Sequence, residues 1–359
     1  MKEELSISRV VIGGVDTHKD LHVAAVVDEH DNVIGAESFP TTRVGYRSLL
    51  KWMRQHGEVS RIGVECTGSY GAGLLRHLNN ADVEVLEVTA PDRSDRRKRG
   101  KDDTLDAISA AHAAFARVRT VTPKTRDGMI ESLRVLRITR KTAVGARRVA
   151  LQMIQMQIVC APEELRDQLR NLTRMQLIRM LAAWRPDTTG FRDPMTANKI
   201  AMKHYARRYL ELHDEIADLD VMIKAIVDDL APELVERTGV GYESASQLLI
   251  TAGDNSERLK SEASFAMLCG TAPLPASSGK TTRHRLNRGG DRAANSALHM
   301  IAISRWRVDP ATKTYVARKR AEGHSNPEIL RCLKRYIARE MFYLIRQRDR
   351  EVKSLRSVA

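Results

Sequence analysis

Short hydrophobic runs rich in β-branched residues dominate the first third of the chain and alternate with polar turns. The runs "VVIGGVD", "LHVAAVVDE" and "VIGAESF" follow one another closely, which predicts three strands of an antiparallel meander. Helical spacing in "GYRSLLKWMRQH", "GAGLLRHLNN" and "TLDAISAAHAAFARV" then alternates with strand-like runs in "RIGVECT" and "VEVLEVT". Together these elements predict a mixed sheet with helices packed on its faces.

The pattern becomes helical after about residue 124. Two long stretches place apolar residues three and four apart, and the second, ending at residue 230, has the spacing of a coiled-coil arm. Such an arm either packs on its own chain or pairs with a second copy, and the pattern leaves both open. We predict an α/β RNase H-like domain with a mixed sheet at 1–124, a helical or coiled-coil region at 125–230, and a mainly α-helical C-terminal domain at 231–359.

The charge balance indicates a polyanionic partner. Of the 359 residues, 59 are Lys or Arg and 45 are Asp or Glu, giving a net charge of +14 and favouring nucleic acid. A cationic membrane-surface protein is the competing class. However, no apolar run approaches the ~20 residues of a spanning helix, and the N-terminus lacks a signal-peptide pattern. We therefore expect a cytoplasmic protein, and the four scattered cysteines indicate neither a zinc site nor disulfides.

Four carboxylates stand at predicted strand ends or in the first turn of a helix. Asp16 and Glu65 end two of the strands, and Asp103 and Asp106 lie three residues apart. If the first and fourth strands are neighbours, all four side chains converge, and such oxygen donors favour Mg²⁺. Taken alone, Asp16 also fits a turn residue, and Asp103 and Asp106 fit helix N-terminal charges. Asp102 is assigned that plainer role because it faces away from its neighbours.

Basic residues flank these carboxylates. We expect them to neutralise phosphates of nucleic acid, although ion pairing at a solvated surface explains the same run. The predicted contacts are Lys19, Arg93, Arg96, Arg97, Lys98, Arg99 and Lys101. His18 and His22 are four residues apart, but the sequence offers no third ligand, so zinc is not predicted.

Two further segments nearer the C-terminus offer phosphate-binding features. "RTGVGYESASQLLITAGD" predicts a helix-hairpin-helix whose turn, Gly239 to Gly241, exposes amides to a phosphate. A tight turn with no ligand fits equally well. The basic loop "GTAPLPASSGKTTRHRLNRGGDR" follows, and its predicted DNA contacts are Lys280, Arg283, Arg285 and Arg288. From spacing alone, its serines are better explained as part of a flexible loop or as helix caps.

Three motifs resemble those of the DEDD-type insertion-sequence transposases of the IS110 family, which includes Piv/MooV-type recombinases. They are "GVDTHKDLHVAAVVD", "VECTGSYG" and "GKDDTLDA", and the loop "GTAPLPASSGKTTRHRLNRGGDRAANSAL" is similar to the C-terminal serine-containing domain of the same family. The resemblance implies a RuvC-like N-terminal domain whose catalytic, metal-binding set falls on Asp16, Glu65, Asp103 and Asp106. It also implies that Ser278 is the nucleophile, with Ser277 the less favoured choice.

The resemblance further implies a bacterial or archaeal recombinase that acts at the nucleoid. Its partners would be Mg²⁺, DNA of the element ends and target, and an element-encoded bridge RNA. It would also form a homo-oligomer, a dimer or a tetramer. Two other functions stay open from the residues: a RuvC-like metal-dependent nuclease or junction resolvase that needs no serine, and a non-catalytic nucleic-acid-binding protein.

Overall fold

The computed structural model describes residues 9–89, 102–277, 279 and 284–358. The chain divides into two compact units, Met1–Thr125 and Arg126–Ala359. The predicted C-terminal domain lies within the second unit, and its boundary near residue 230 stays a prediction. Among the described residues, every helix is too short or too polar to span a bilayer.

A six-stranded mixed sheet forms the first unit, with strand order β3-β2-β1-β4-β5-β6. β1, β2 and β3 are the predicted antiparallel meander; β4 and β5 run parallel to β1, and β6 is antiparallel to β5. The strands are β1 Val10–Thr17, β2 Leu21–Val27, β3 Val33–Pro40, β4 Glu58–Glu65, β5 Glu84–Val88 and β6 Thr120–Val121. The helices are α1 Arg43–Gln55, α2 Ala72–Asn79 and α3 Asp103–Ala116. The predicted RNase H-like α/β fold is confirmed, and the first and fourth strands are neighbours.

Helices cover both faces of this sheet because its central strands are apolar on both faces. On one face Val15, Ile62 and Val64 pack with Leu49 of α1 and Leu74 of α2. On the other face, Ile12 and Leu86 pack against alanines of α3. Seven of the eight residues of β1 are buried, which is the pattern of a central strand rather than an edge strand.

Helices make up most of the second unit. They are α4 Met129–Cys160, α5 Glu163–Leu169, α6 Arg174–Ala183, α7 Pro194–Leu230, α8 Pro232–Val235, α9 Tyr242–Ala252, α10 Glu262–Leu268, α11 Arg292–Val308, α12 Pro310–Ala321 and α13 Asn326–Val358. The long helices α4 and α7 pack against each other, and Arg140 of α4 pairs with Asp220 of α7. The predicted coiled-coil arm therefore packs on its own chain.

Two apolar cores hold the second unit together. One fills the space between α4, α7, α9, α11 and α13, where Leu133, Leu248, Leu298 and Met341 are fully buried. The other, around Ile154 and Ile178, is formed by the far ends of α4 and α7 with α5 and α6. The predicted loop after α10 contains a two-residue ladder, β7 Leu274–Pro275 with β8 His284–Arg285. Because Pro275 has no N–H to donate, it limits the length of this ladder.

Candidate metal centre and nucleic-acid interface

Asp16 and Glu65 lie side by side at the ends of parallel strands. Asp16 is the penultimate residue of β1 and Glu65 is the last of β4, and Val15 pairs with Val64 just before them. Since Val15 and Val64 point into the core under α1 and α2, the alternation of a strand turns the next residues toward α3. Both carboxylates are buried, with 7% and 6% of their surface exposed.

Two glycines allow α3 to lie directly on this face. A Cβ at Gly14 would stand 2.1 Å from the backbone nitrogen of Ala111, and a Cβ at Gly63 would stand 2.5 Å from the carbonyl oxygen of Ala110. Real side chains do not reach such distances, so the close approach of helix and sheet depends on glycine at both positions. The first turn of α3 is thereby held at the end of β1 and β4 where the buried carboxylates are.

The three aspartates at the start of α3 occupy different positions. The carboxylate of Asp102 accepts a hydrogen bond from the backbone N–H of Thr104 at 2.9 Å, which makes it the N-cap. Its predicted structural role is therefore confirmed. Asp103 and Asp106 occupy the first helical turn, three residues apart, and both are half-buried.

Burial and mutual repulsion make this group of carboxylates costly without a cation. Burial raises the pKa of Asp16, and the negative charges of Asp106 and Asp103 raise it further, while His18 opposes them. The pKa of the neighbouring Cys66 thiol is raised by burial first and then by Glu65 and Asp16, so the thiol stays protonated at neutral pH. A bound divalent cation would relieve this repulsion.

The donor atoms of Asp16, His18 and Asp103 lie within 4.8 Å of one another. Two carboxylates and an imidazole are all donors that divalent cations accept, so the residues present fit such an ion. The structure thus brings two of the four predicted carboxylates into one cluster and places Glu65 and Asp106 on the same side of the sheet. The sequence did not predict that His18 joins this cluster, although its position two residues after Asp16 was an available signal.

The predicted phosphate contacts are only partly within the described residues. Lys19 is exposed directly beside the cluster, and its carbonyl accepts a hydrogen bond from the Thr41 hydroxyl at 2.7 Å. The basic run before α3 lies outside the described residues; its predicted contacts are Arg93, Arg96, Arg97, Lys98, Arg99 and Lys101.

The serine loop stands between β7 and β8. Ser278, Lys280 and Arg283 lie outside the described residues, while Arg285 and Arg288 are exposed. Gly279 adopts a left-handed backbone with φ of 56°, a conformation that favours glycine. Among the described residues, its chain neighbours aside, no atom lies within 4 Å of where its Cβ would be.

The predicted turn between two helices is present at Gly239 to Gly241. The helix before it, α8, has a single turn, and α9 begins directly after Gly241. Gly239 has φ of 81° and packs against Ser304 and the carbonyl of Ile301 in α11, whereas no atom of the residues that the structure describes, sequence neighbours aside, lies within 4 Å of where a Cβ at Gly241 would be. Phosphate binding at Gly239 and Gly241 stays a prediction.

Comparison with known proteins gives two matches to family models, in chain order. A model described as "Transposase", for DEDD transposases of the IS110 type, matches residues 13–159. A model described as "Transposase IS116/IS110/IS902 family" matches residues 231–317. The first match includes all four predicted carboxylates, and the second includes the helix turn and the serine loop.

Two curated proteins are similar over part of their length. The "Insertion element IS110 uncharacterized 43.6 kDa protein" of Streptomyces coelicolor is 32% identical over 43% of this chain and 36% of its own length. The "Insertion element IS900 uncharacterized 42 kDa protein" of Mycobacterium paratuberculosis is 29% identical over 36% of this chain and 33% of its own. The matched segment thus spans about a third of each relative. The two matched regions follow one another and together cover more than half of the chain. The chain therefore belongs to the IS110 family of transposases.

Proposed function

We propose that the chain is the DNA transposase, or site-specific recombinase, of an insertion sequence, and that it cuts and rejoins DNA strands at a Mg²⁺-dependent site. The observation that carries this proposal is the convergence of Asp16 from the sheet and Asp103 from the first turn of α3, with donor atoms within 4.8 Å of the same imidazole. The family membership supports it, since the matched region contains these residues.

Asp16, Glu65, Asp103 and Asp106 would hold the metal. When bound, the ion would neutralise charge on a scissile phosphate and lower the pKa of an attacking hydroxyl. Asp16 pairs with Val23 of β2 and Glu65 pairs with Val88 of β5, so the sheet holds the backbone of both residues. Asp103 and Asp106 are placed by one helix turn that Asp102 caps. The exposed Lys19 would bind a phosphate of the DNA strand that is cut.

Ser278 would be the nucleophile, with Ser277 as the less favoured alternative. In this step the serine oxygen forms a bond to the phosphorus, and one P–O bond to deoxyribose breaks. The serine proton is lost to a base or solvent, and the departing oxygen takes up a proton to become a hydroxyl. The phosphoserine link conserves the bond energy for rejoining. The cations Lys280, Arg283, Arg285 and Arg288, together with the amides at Gly239 and Gly241, would bind flanking phosphates.

The partners of this reaction would be DNA of the element ends and of the target, together with an element-encoded bridge RNA that selects both. The net charge of +14 suits two polyanions. The chain would act as a homo-oligomer, a dimer or a tetramer, because two strand ends must be held for exchange. The support for RNA guidance and for oligomerisation is the resemblance to the family.

One observation favours a second candidate, a RuvC-like nuclease that hydrolyses DNA with water. The clustered residues Asp16, His18 and Asp103 all lie within the first unit, and hydrolysis by water at such a cluster needs no serine. Such an enzyme would produce free ends and would not become attached to DNA.

A covalent trapping experiment distinguishes the two. The full chain is mixed with Mg²⁺, labelled DNA carrying the joined element ends, and RNA transcribed from the flank of the element, and is then run on a denaturing gel. We expect a protein–DNA adduct that is lost in Ser278→Ala and Asp16→Asn but kept in Ser277→Ala. Cleavage with no adduct, unaffected by Ser278→Ala, would establish the nuclease. Binding without cleavage, unaffected by Asp16→Asn, would indicate a non-catalytic protein.

A further inference from the structure

His18 lies at the centre of the carboxylate cluster. Its Nε2 atom is 3.0 Å from Oδ2 of Asp16 and 3.3 Å from Oδ2 of Asp103. The side chain of Asp16 is 10% exposed and that of Asp103 is 47% exposed, so the cluster has a buried wall and an open side. A single nitrogen atom therefore contacts two carboxylates that come from different elements of the fold.

The second histidine of this region does not share that position. His22 is fully buried and stacks on Tyr46, with ring centroids 5.7 Å apart. It pairs across the strands with Thr17, whose side chain bonds to the carbonyl of Glu65, so it lies on the sheet face opposite Asp16. The two histidines are thus not a ligand pair, and His18 acts together with the aspartates.

The distances around His18 are those of metal ligands as well as of an ion pair. Around a six-coordinate ion with bonds near 2.1 Å, adjacent ligand atoms are about 3 Å apart. Both contacts of the imidazole nitrogen are close to this separation. With its proton on Nε2, His18 donates a hydrogen bond to a carboxylate; with the proton on Nδ1 instead, Nε2 presents its lone pair to a cation between the two carboxylates.

We propose that His18 is a protein ligand of the divalent ion in the proposed transposase site, and that it sets the preference of this site for Mn²⁺ over Mg²⁺. The inference rests on the metal site of the proposed function. Imidazole nitrogen binds transition-metal ions much better than Mg²⁺, which prefers carboxylate and water oxygens. The four carboxylates alone would discriminate weakly between the two ions, whereas a site that includes His18 favours the softer ion.

The first test is spectroscopic and needs no catalysis. The full chain is loaded with stoichiometric Mn²⁺, and pulsed electron paramagnetic resonance is used to detect nitrogen coupled to the metal. We expect a directly coordinated imidazole nitrogen that disappears in His18→Gln, whose amide keeps a hydrogen-bond donor but provides no nitrogen ligand. The matched control is His30→Gln, since His30 is 74% exposed in the turn between β2 and β3. The nitrogen coupling should persist in that variant.

The second test measures affinity. We expect His18→Gln to weaken Mn²⁺ binding by about tenfold or more, with a much smaller change for Mg²⁺, while His30→Gln changes neither. If His18 is only a fixed cation, its removal would instead strengthen binding of both ions, and that result would overturn the proposal. Mn²⁺ binding that depends on Asp16 but shows no nitrogen coupling would also overturn it while leaving the proposed function intact. Mn²⁺ binding unaffected by Asp16→Asn and Asp103→Asn would contradict the metal site itself.

Discussion

Asp102 and Asp103 are adjacent residues with the same charge and different tasks. Asp102 caps α3 by accepting the N–H of Thr104, whereas the carboxylate of Asp103 lies 3.3 Å from the His18 nitrogen. Serine caps a helix about as well as aspartate, so Asp102→Ser should leave both helix stability and metal binding nearly unchanged. Asp103→Ser should weaken Mg²⁺ binding by about tenfold or more.

Titration calorimetry of the full chain with Mg²⁺ checks this pair of variants. Each variant removes one negative charge from the same turn, so long-range electrostatics alone predicts equal losses. Equal losses in the two variants would therefore contradict a specific site at Asp103.

His22 makes the stability of the first unit dependent on pH. Burial lowers the pKa of His22 from 6.5 to about 4. The unfolded chain therefore binds a proton at pH values where the folded chain does not. The stabilising effect of the neutral ring is complete above about pH 7 and is lost as the pH falls from 6.5 toward 4, amounting to about 2 kcal/mol at pH 5.

The variant His22→Phe tests this because phenylalanine keeps the stack on Tyr46 without a titrating group. Calorimetric unfolding at pH 7.5 and pH 5.0 should show a smaller loss of stability for His22→Phe than for the wild-type chain. His30→Gln, which changes an exposed histidine, should keep the wild-type pH dependence. A pH dependence unchanged by His22→Phe would show that other groups cause it.

At the scale of elements, the contact of α3 with the sheet decides whether the carboxylates meet. A methyl group at Gly14 would overlap the backbone of Ala111, so Gly14→Ala must push the helix away. We expect a loss of about 1–3 kcal/mol in unfolding free energy, as for overpacked cores, together with weaker Mg²⁺ binding because the first turn of α3 moves with the helix.

Gly145 provides the control for this substitution. It lies within α4, and apart from its own helix backbone and chain neighbours no atom in the described part of the chain stands within 4 Å of where its Cβ would be. Gly145→Ala should stabilise the chain by about 0.5–1 kcal/mol because alanine is the better helix residue. Urea unfolding and Mg²⁺ titration of both variants give the comparison. Unchanged stability and metal binding in Gly14→Ala would contradict the described packing.

Local pattern was sufficient to predict the first five strands and the three helices described in the first unit, together with the strand-end positions of Asp16 and Glu65, but not the two-residue strand β6. Local pattern did not place His18 beside Asp103, because this contact depends on where the chain after β1 directs the His18 side chain relative to α3. The position of α3 depends on Gly14 and Gly63, whose importance is visible only when helix and sheet are in contact. The pairing of α4 with α7 was likewise undecided, since an apolar stripe does not identify its partner.

At the scale of the whole molecule, the excess of basic over acidic residues lies almost entirely in one part of the sequence. Residues 1–125 carry 18 basic and 18 acidic side chains, so the unit with the carboxylate cluster has no net charge. Residues 280–359 carry 20 basic and 7 acidic side chains. Long-range attraction of nucleic acid should therefore originate in the C-terminal segment, which includes the serine loop, rather than around the metal site.

The salt dependence of DNA binding tests this division of charge. Each phosphate contact that is lost reduces the slope of log K against log salt by about 0.9. The double variant Arg285→Gln, Arg288→Gln removes two exposed cations of the C-terminal segment and should make the slope shallower by about 2. The double variant Arg43→Gln, Lys51→Gln makes the same charge change in the first unit, at two exposed positions of α1, and should leave the slope nearly unchanged. Fluorescence anisotropy with a labelled duplex over a series of KCl concentrations measures both slopes. Equal reductions of the slope in the two double variants would contradict this division of charge. They would mean that the first unit also contacts phosphates, through local cations, although it has no net charge.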